Sequence, residues 1–114
     1  MLVHLQDWQT ATAALTVKQG ILEGAFETAA VVQTLHNAYD QPILAHELRM
    51  VTARPARTPA GTVLHYMLPL SDSPITTVSR TFARELLSDP LQKEHFAPHL
   101  QGVLHRHGLV GVDN

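Results

Sequence analysis

The sequence contains no cysteine. Disulfides, thiolate metal sites and cysteine nucleophiles are thereby excluded, and a reducing compartment is favoured. Aromatic residues are scarce, at 5%: one tryptophan, two tyrosines and three phenylalanines. No window approaches the ~18 consecutive apolar residues of a membrane span. Residues 1–8 lack the basic and apolar regions of a secretory signal. The expected location is the cytoplasm, with no membrane contact. Neither sign of charge is in excess. The net charge is −2, and each half of the chain carries four Lys/Arg and five Asp/Glu. A protein that grips a nucleic-acid backbone usually shows a basic stripe, because phosphate neutralisation supplies much of the affinity. That bulk signal is missing.

What remains is an ordinary globular composition, 45% hydrophobic over 114 residues. That is enough apolar surface for one domain spanning residues 1–114. Histidine is the unusual component: eight residues, as many as Lys and Arg together. Net charge therefore rises as pH falls through ~6.5.

Residues 7–36 carry a helical pattern. Asp7 is a plausible N-cap for a run holding Trp8, Thr12 and Leu15. Ile21, Leu22, Ala25, Phe26, Ala29, Val32 and Leu35 then recur at spacings of three and four. Gly20 and Gly24 weaken that helix by ~1 kcal/mol each. A turn is expected at residues 37–42, where Asn37, Asp40 and Pro42 cluster. Residues 43–54 fit helix or strand. Residues 54–61 form a loop with two prolines and a glycine. The β-branched and aromatic run Thr62-Val63-Leu64-His65-Tyr66-Met67-Leu68 fits a strand bounded by Gly61 and Pro69. Its nearest partner is 48–54, and residues 2–5 could add a third strand. From Ser71 the pattern is helical again, with Ser73 as N-cap, Pro74 at N1, and Ile75, Val78, Phe82 and Leu86 on one face. Asp89-Pro90 repeats the cap signal. Leu100, Val103 and Leu104 form a last stripe before Gly108, a natural helix terminator.

The expected architecture is α+β: an N-terminal helical segment, a small antiparallel sheet at about 48–54 and 61–68, and two or three C-terminal helices. An all-α bundle is the alternative. Phe26, Leu35, Leu64, Phe82 and Leu104 are expected in the core.

Three groups of residues carry candidate chemistry. Glu94, His95, His99, His105 and His107 are metal-ligand types, but Pro98 interrupts the i,i+4 pair, and Met50 stands where His46-Glu47 would need its second histidine. No metal and no cofactor is expected, and His105 and His107 are kept as candidate ligand or partner contacts. Arg49, Arg54 and Arg57 form the most basic stretch, at the tip of the expected hairpin, and could meet an oxyanion or an acidic partner. The stretch from Phe82 to Val110, with its Gly108-Leu109-Val110 ending, slightly resembles the second half of a winged helix-turn-helix domain, which implies a helix that reads DNA. Pro98 departs from that pattern, and the chain is not assigned to the family. Nucleophile-elbow and phosphate-loop motifs are absent. Glu23 and Glu27 share a helix face but suit a solvated one, and Trp8 suits a core anchor. The leading expectation is a non-enzymatic module that binds a protein partner or self-associates. A small nucleic-acid-binding regulator comes second, and a histidine-based enzyme or metalloprotein third.

Overall fold

The computed structural model describes residues 1–25, 28–43 and 61–113. Strand β1 (Leu2–Gln6) leads into two short helices, α1 (Asp7–Ala11) and α2 (Ala13–Leu22). Strand β2 (Ala30–Leu35) returns beside β1. A two-residue antiparallel ladder joins β3 (Pro42–Ile43) to β4 (Gly61–Thr62). Helix α3 (Val63–Met67) and a 3-10 turn (Leu68–Leu70) precede β5 (Ile75–Thr77). Then come α4 (Arg80–Ser88), a π-helical turn (Leu91–Phe96), a 3-10 turn (Pro98–Leu100), α5 (Gln101–His107) and β6 (Leu109–Gly111).

The main sheet has the order β1-β2-β5-β6, and every pairing in it is parallel. Parallel neighbours require crossover connections, which here contain α1 and α2, then α3, then α4 and α5. One face of the sheet is covered. Leu5 and Val31 pack with Ala14 and Val17 of α2. Leu35 and Ile75 pack with Leu64, Met67, Leu86, Leu100 and Leu104. Each fully buried leucine contributes about 1.5–3 kcal/mol. Gln33 is buried on this face as well, and donates through Nε2 to Met67 O (2.7 Å) and Ser71 Oγ (2.9 Å). Thr77 Oγ1 donates to Leu35 O at 2.6 Å. Both polar side chains are thus satisfied inside the core, as burial demands.

The antiparallel α+β architecture is overturned, and so is the all-α bundle: the sheet is parallel and of α/β type. Each misread element has a physical cause. Residues 30–35 are a strand, although Ala29, Val32 and Leu35 fall at helical spacing. Buried Gln33 stands between Val31 and Leu35 on the covered face, and Ala30 and Val32 lie on the other, so the period-2 signal fades. Residues 63–67 are helical despite their β-branched and aromatic composition. The Thr62 hydroxyl accepts from His65 N at 3.2 Å, an N-cap that outweighs the propensity. Residues 75–77 are a strand, and the N-cap lies further on: Ser79 Oγ accepts from Phe82 N at 3.0 Å to start α4. Gly108 follows α5 at φ 82°, a conformation glycine adopts without strain, but the chain then re-enters the sheet as β6. Among the described residues the last helix is followed by this parallel strand, not by a hairpin. The expected strand at 48–54 lies outside the described residues. Leu35, Leu64 and Leu104 are buried, Phe82 is half-buried, and Phe26 lies outside the described residues. Among the described residues no helix is long and apolar enough to cross a membrane.

Asp72 extends the β2–β5 pairing beyond the strand itself. Its amide donates to Val31 O at 2.8 Å, and its Oδ2 accepts from Val31 N at 2.8 Å. Lys18 Nζ of α2 donates to both carboxylate oxygens, at 2.7 and 2.6 Å. The lysine bond and then the Val31 bond lower the Asp72 carboxyl below its ordinary 3.8. A depressed carboxyl adds stability at pH values above its unfolded value and loses it as pH falls through the folded value. We expect the native chain to lose this contribution on acidification below pH ~4. Asp72→Asn should lack that part of the acid dependence, as read by urea midpoints between pH 3 and 7. An identical pH dependence in the variant would show that the ion pair adds nothing.

Candidate active site

In open parallel sheets, ligands bind in the crevice beyond the carboxyl ends of the strands. At that edge β1 passes directly into α1 through Asp7, whose φ is 58°. A non-glycine residue there is strained, though aspartate tolerates the region better than most. The Thr10 hydroxyl holds the turn, accepting from Gln6 N and donating to Gln6 O, both at 2.8 Å.

This backbone turn sends the Asp7 carboxylate across to the end of β2. Its Oδ1 accepts from His36 N at 2.7 Å, and its Oδ2 meets His36 Nδ1 at 3.0 Å. A carboxylate accepts hydrogen bonds, so Nδ1 carries a proton, and in the neutral ring Nε2 then presents its lone pair. The imidazole is 42% exposed and the Asp7 side chain 19%. The half-buried carboxylate therefore fixes the orientation of a ring that solvent can reach. Among the described residues Nε2 has no hydrogen-bond partner.

Asn37 follows immediately, and its Oδ1 accepts from Tyr39 N at 2.9 Å, closing a turn. Asp40 completes the segment. Its carboxylate accepts from Gln41 N (2.8 Å), Leu64 N (3.0 Å) and His99 Nε2 (2.8 Å). The loop after β2 is thus tied to α3 and to the C-terminal turns.

At the ends of β5 and β6, Gly111 runs so close to the backbone of Ser79 and Arg80 that a Cβ would collide. Asp113 Oδ1 accepts from Arg80 N at 3.0 Å and covers the start of α4. On the uncovered face of the sheet, His4 Nε2 bonds Thr34 Oγ1 at 2.6 Å and Thr34 Oγ1 bonds Thr76 Oγ1 at 2.5 Å. These groups, with Gln6, His36 and Val112, border a cavity of about 410 Å³ that runs up to the strand ends.

The residues singled out from the sequence fall elsewhere. Arg49, Arg54 and Arg57 lie outside the described residues, as do His46, Glu47 and Glu27. His105 is exposed on α5. His107, with Arg106, lines a separate cavity of about 370 Å³ that also touches Ser71, Ser73 and Pro74. That cavity lies where β5 and β6 begin, at the opposite edge of the sheet from Asp7 and His36. His95 and His99 do not converge, since His99 is engaged by Asp40. Among the described residues no three His, Asp or Glu side chains come together to hold a metal ion. The sequence pattern alone makes Asp7 a helix cap and His36 the end of that helix. The available signal was two short apolar runs, each ending in a polar residue. That is how parallel strands present chemistry at their carboxyl ends.

An open parallel sheet with helical crossovers, and an oriented imidazole at its carboxyl edge, defines a Rossmann-like α/β protein. Residues 1–106 match the family model of the starch synthase catalytic domain, and the chain belongs to that glycosyltransferase family. The catalytic domain of starch synthase IV from Arabidopsis thaliana, solved with ADP and acarbose bound, resembles it with a TM-score of 0.75 and 24% identity. The match covers 99% of this chain and 25% of that one, so the chain spans about a quarter of the solved domain. No curated protein matches the chain. The family is one of catalytic domains, which overturns the expectation of a non-enzymatic protein-binding or self-association module.

Proposed function

We propose that this chain forms part of a glycosyltransferase site that moves a glucosyl group from an ADP-linked donor to a starch-like glucan. The observation that carries the reading is the Asp7–His36 pair, held at the carboxyl ends of parallel strands in a chain of this family. His36 Nε2 accepts a hydrogen bond from a sugar hydroxyl beside the reacting carbon. Asp7 keeps the proton on Nδ1 and so fixes Nε2 as the acceptor and holds the ring's orientation. The Asn37 side-chain NH2 group supplies a neighbouring donor. The starch synthase IV structure binds ADP and acarbose, a nucleotide and a sugar analogue, which suits a site of this composition.

Calorimetric titration of the chain with ADP and with acarbose tests the reading. We expect acarbose to bind and to shift the His36 ring resonances, with weaker binding in His36→Ala. Absence of binding by either compound would overturn it.

A further inference from the structure

The loop after β2 begins with His36 and Asn37 and runs to Gln41. Asp7 holds its near end, where it accepts from His36 N. Asp40 holds its far end. The Asp40 side chain is 7% exposed, and burying a carboxylate is costly unless hydrogen bonds replace the lost water. Three do so: Oδ1 accepts from Gln41 N and Leu64 N, and Oδ2 accepts from His99 Nε2.

The opening amides of α3 need partners outside the helix. Val63 N donates to Gln41 O at 2.8 Å, Leu64 N to Asp40 Oδ1 at 3.0 Å and His65 N to Thr62 Oγ1 at 3.2 Å. Two of these three bonds end on the loop after β2. Helix capping accounts for Oδ1 alone. Oδ2 reaches a ring 59 residues further along the chain. His99 stands on the turn Pro98–Leu100, and Leu100 packs in the main apolar cluster with Leu64 and Ala38. One carboxylate therefore fastens the loop to two elements that share a core. Within the loop, Asn37 Oδ1 is bound by Tyr39 N. Among the described residues, the hydrogen bonds that tie this loop to other elements stand at its two ends.

We propose that Asp40 is a positioning residue for the transfer reaction. It fixes the far end of the loop whose near end carries the imidazole and the amide donor. It thereby sets where Asn37 Nδ2 stands beside His36 Nε2, and His99 is the second anchor of the same carboxylate. A misplacement of about 1 Å at a reacting group can lower a rate by roughly 10²-fold, so a tether that touches no sugar can still act on turnover. The identity of the reaction rests on the function proposed above.

NMR of the whole chain, with transfer kinetics from an ADP-linked donor to a glucan, tests this on Asp40→Ala, Asp40→Asn and His99→Ala. In Asp40→Ala the Asn37 side-chain amide and His36 ring signals should shift, while the Val31 and Thr77 amides within the sheet stay in place. The kcat should fall by roughly 10- to 100-fold, and the KM for glucan should rise. A purely structural role lowers only the folded fraction, which reduces kcat and leaves KM unmoved. Asp40→Asn should recover most of the activity and the signal positions. Its Oδ1 keeps both amides, and its Nδ2 donates to His99 once that ring carries its proton on Nδ1. His99→Ala removes the Oδ2 partner alone and should shift the same signals by less. Unmoved Asn37 and His36 signals in folded Asp40→Ala, or an unchanged glucan KM, overturn the positioning role and leave the proposed function standing. If Asp40→Ala does not fold, His99→Ala decides the matter by the same two readings. A wild-type chain that transfers no glucosyl group overturns the proposed function, and the role in the reaction falls with it.

Discussion

Replacing His36 with alanine should lower glucosyl transfer from an ADP-linked donor by roughly 10²- to 10³-fold, the usual effect of removing one oriented hydrogen-bonding group from a transition state. Acarbose affinity should fall by about tenfold, the value of one net hydrogen bond. Asp7→Asn makes a sharper test, because it preserves shape. Its amide NH2 faces Nδ1 or the His36 backbone, where two donors then oppose each other. Oriented as an acceptor, it holds the ring through a neutral hydrogen bond weaker than the one to the carboxylate. We expect Asp7→Asn to reduce turnover, since it keeps the shape of the pair and removes the charge that orients the ring. Equal transfer rates in wild type, His36→Ala and Asp7→Asn would remove the pair from the reaction. Stability measured on the same variants separates a lost tether between β1 and β2 from a lost reactive group.

The largest stability effect should come from the residues that join the C-terminal helices to the sheet. Leu86 on α4 is fully buried in the main apolar cluster with Leu35, Leu64, Leu100 and Leu104. Leu86→Ala leaves a cavity between layers that cannot collapse without moving α4. A cost of about 2–5 kcal/mol is expected, a large share of the ~5–15 kcal/mol that holds a domain together. Leu91, a few residues further along, is 54% exposed, and Leu91→Ala should change stability by less than ~0.5 kcal/mol. Urea unfolding of the two variants gives the comparison. Equal effects would mean that the helix faces are wrongly assigned.

The sequence by itself determined the local events. Gly108 ends the last helix, the chain bends out of β2 at Asn37, residues 2–5 are extended, and Leu35, Leu64 and Leu104 go inside. Each follows from a short-range signal: a residue that tolerates positive φ, a cluster of turn formers, an apolar side chain at a periodic position. Tertiary structure decided the rest. Residues 30–35 became a strand because β1 on one side and β5 on the other supply backbone partners, and their helical spacing could not compete with a ladder on both edges. Residues 63–67 became a helix because Thr62 capped them and Asp40, far back in the chain, accepted from Leu64 N. The candidate site was the least legible feature of all. Asp7 and His36 stand 29 residues apart, with no motif to join them. They meet because parallel pairing in register aligns the carboxyl ends of β1 and β2, and because Asp7 takes a strained backbone angle that no propensity favours. Sequence periodicity reports which face a residue occupies; only the pairing of strands decides which end of the sheet two side chains share.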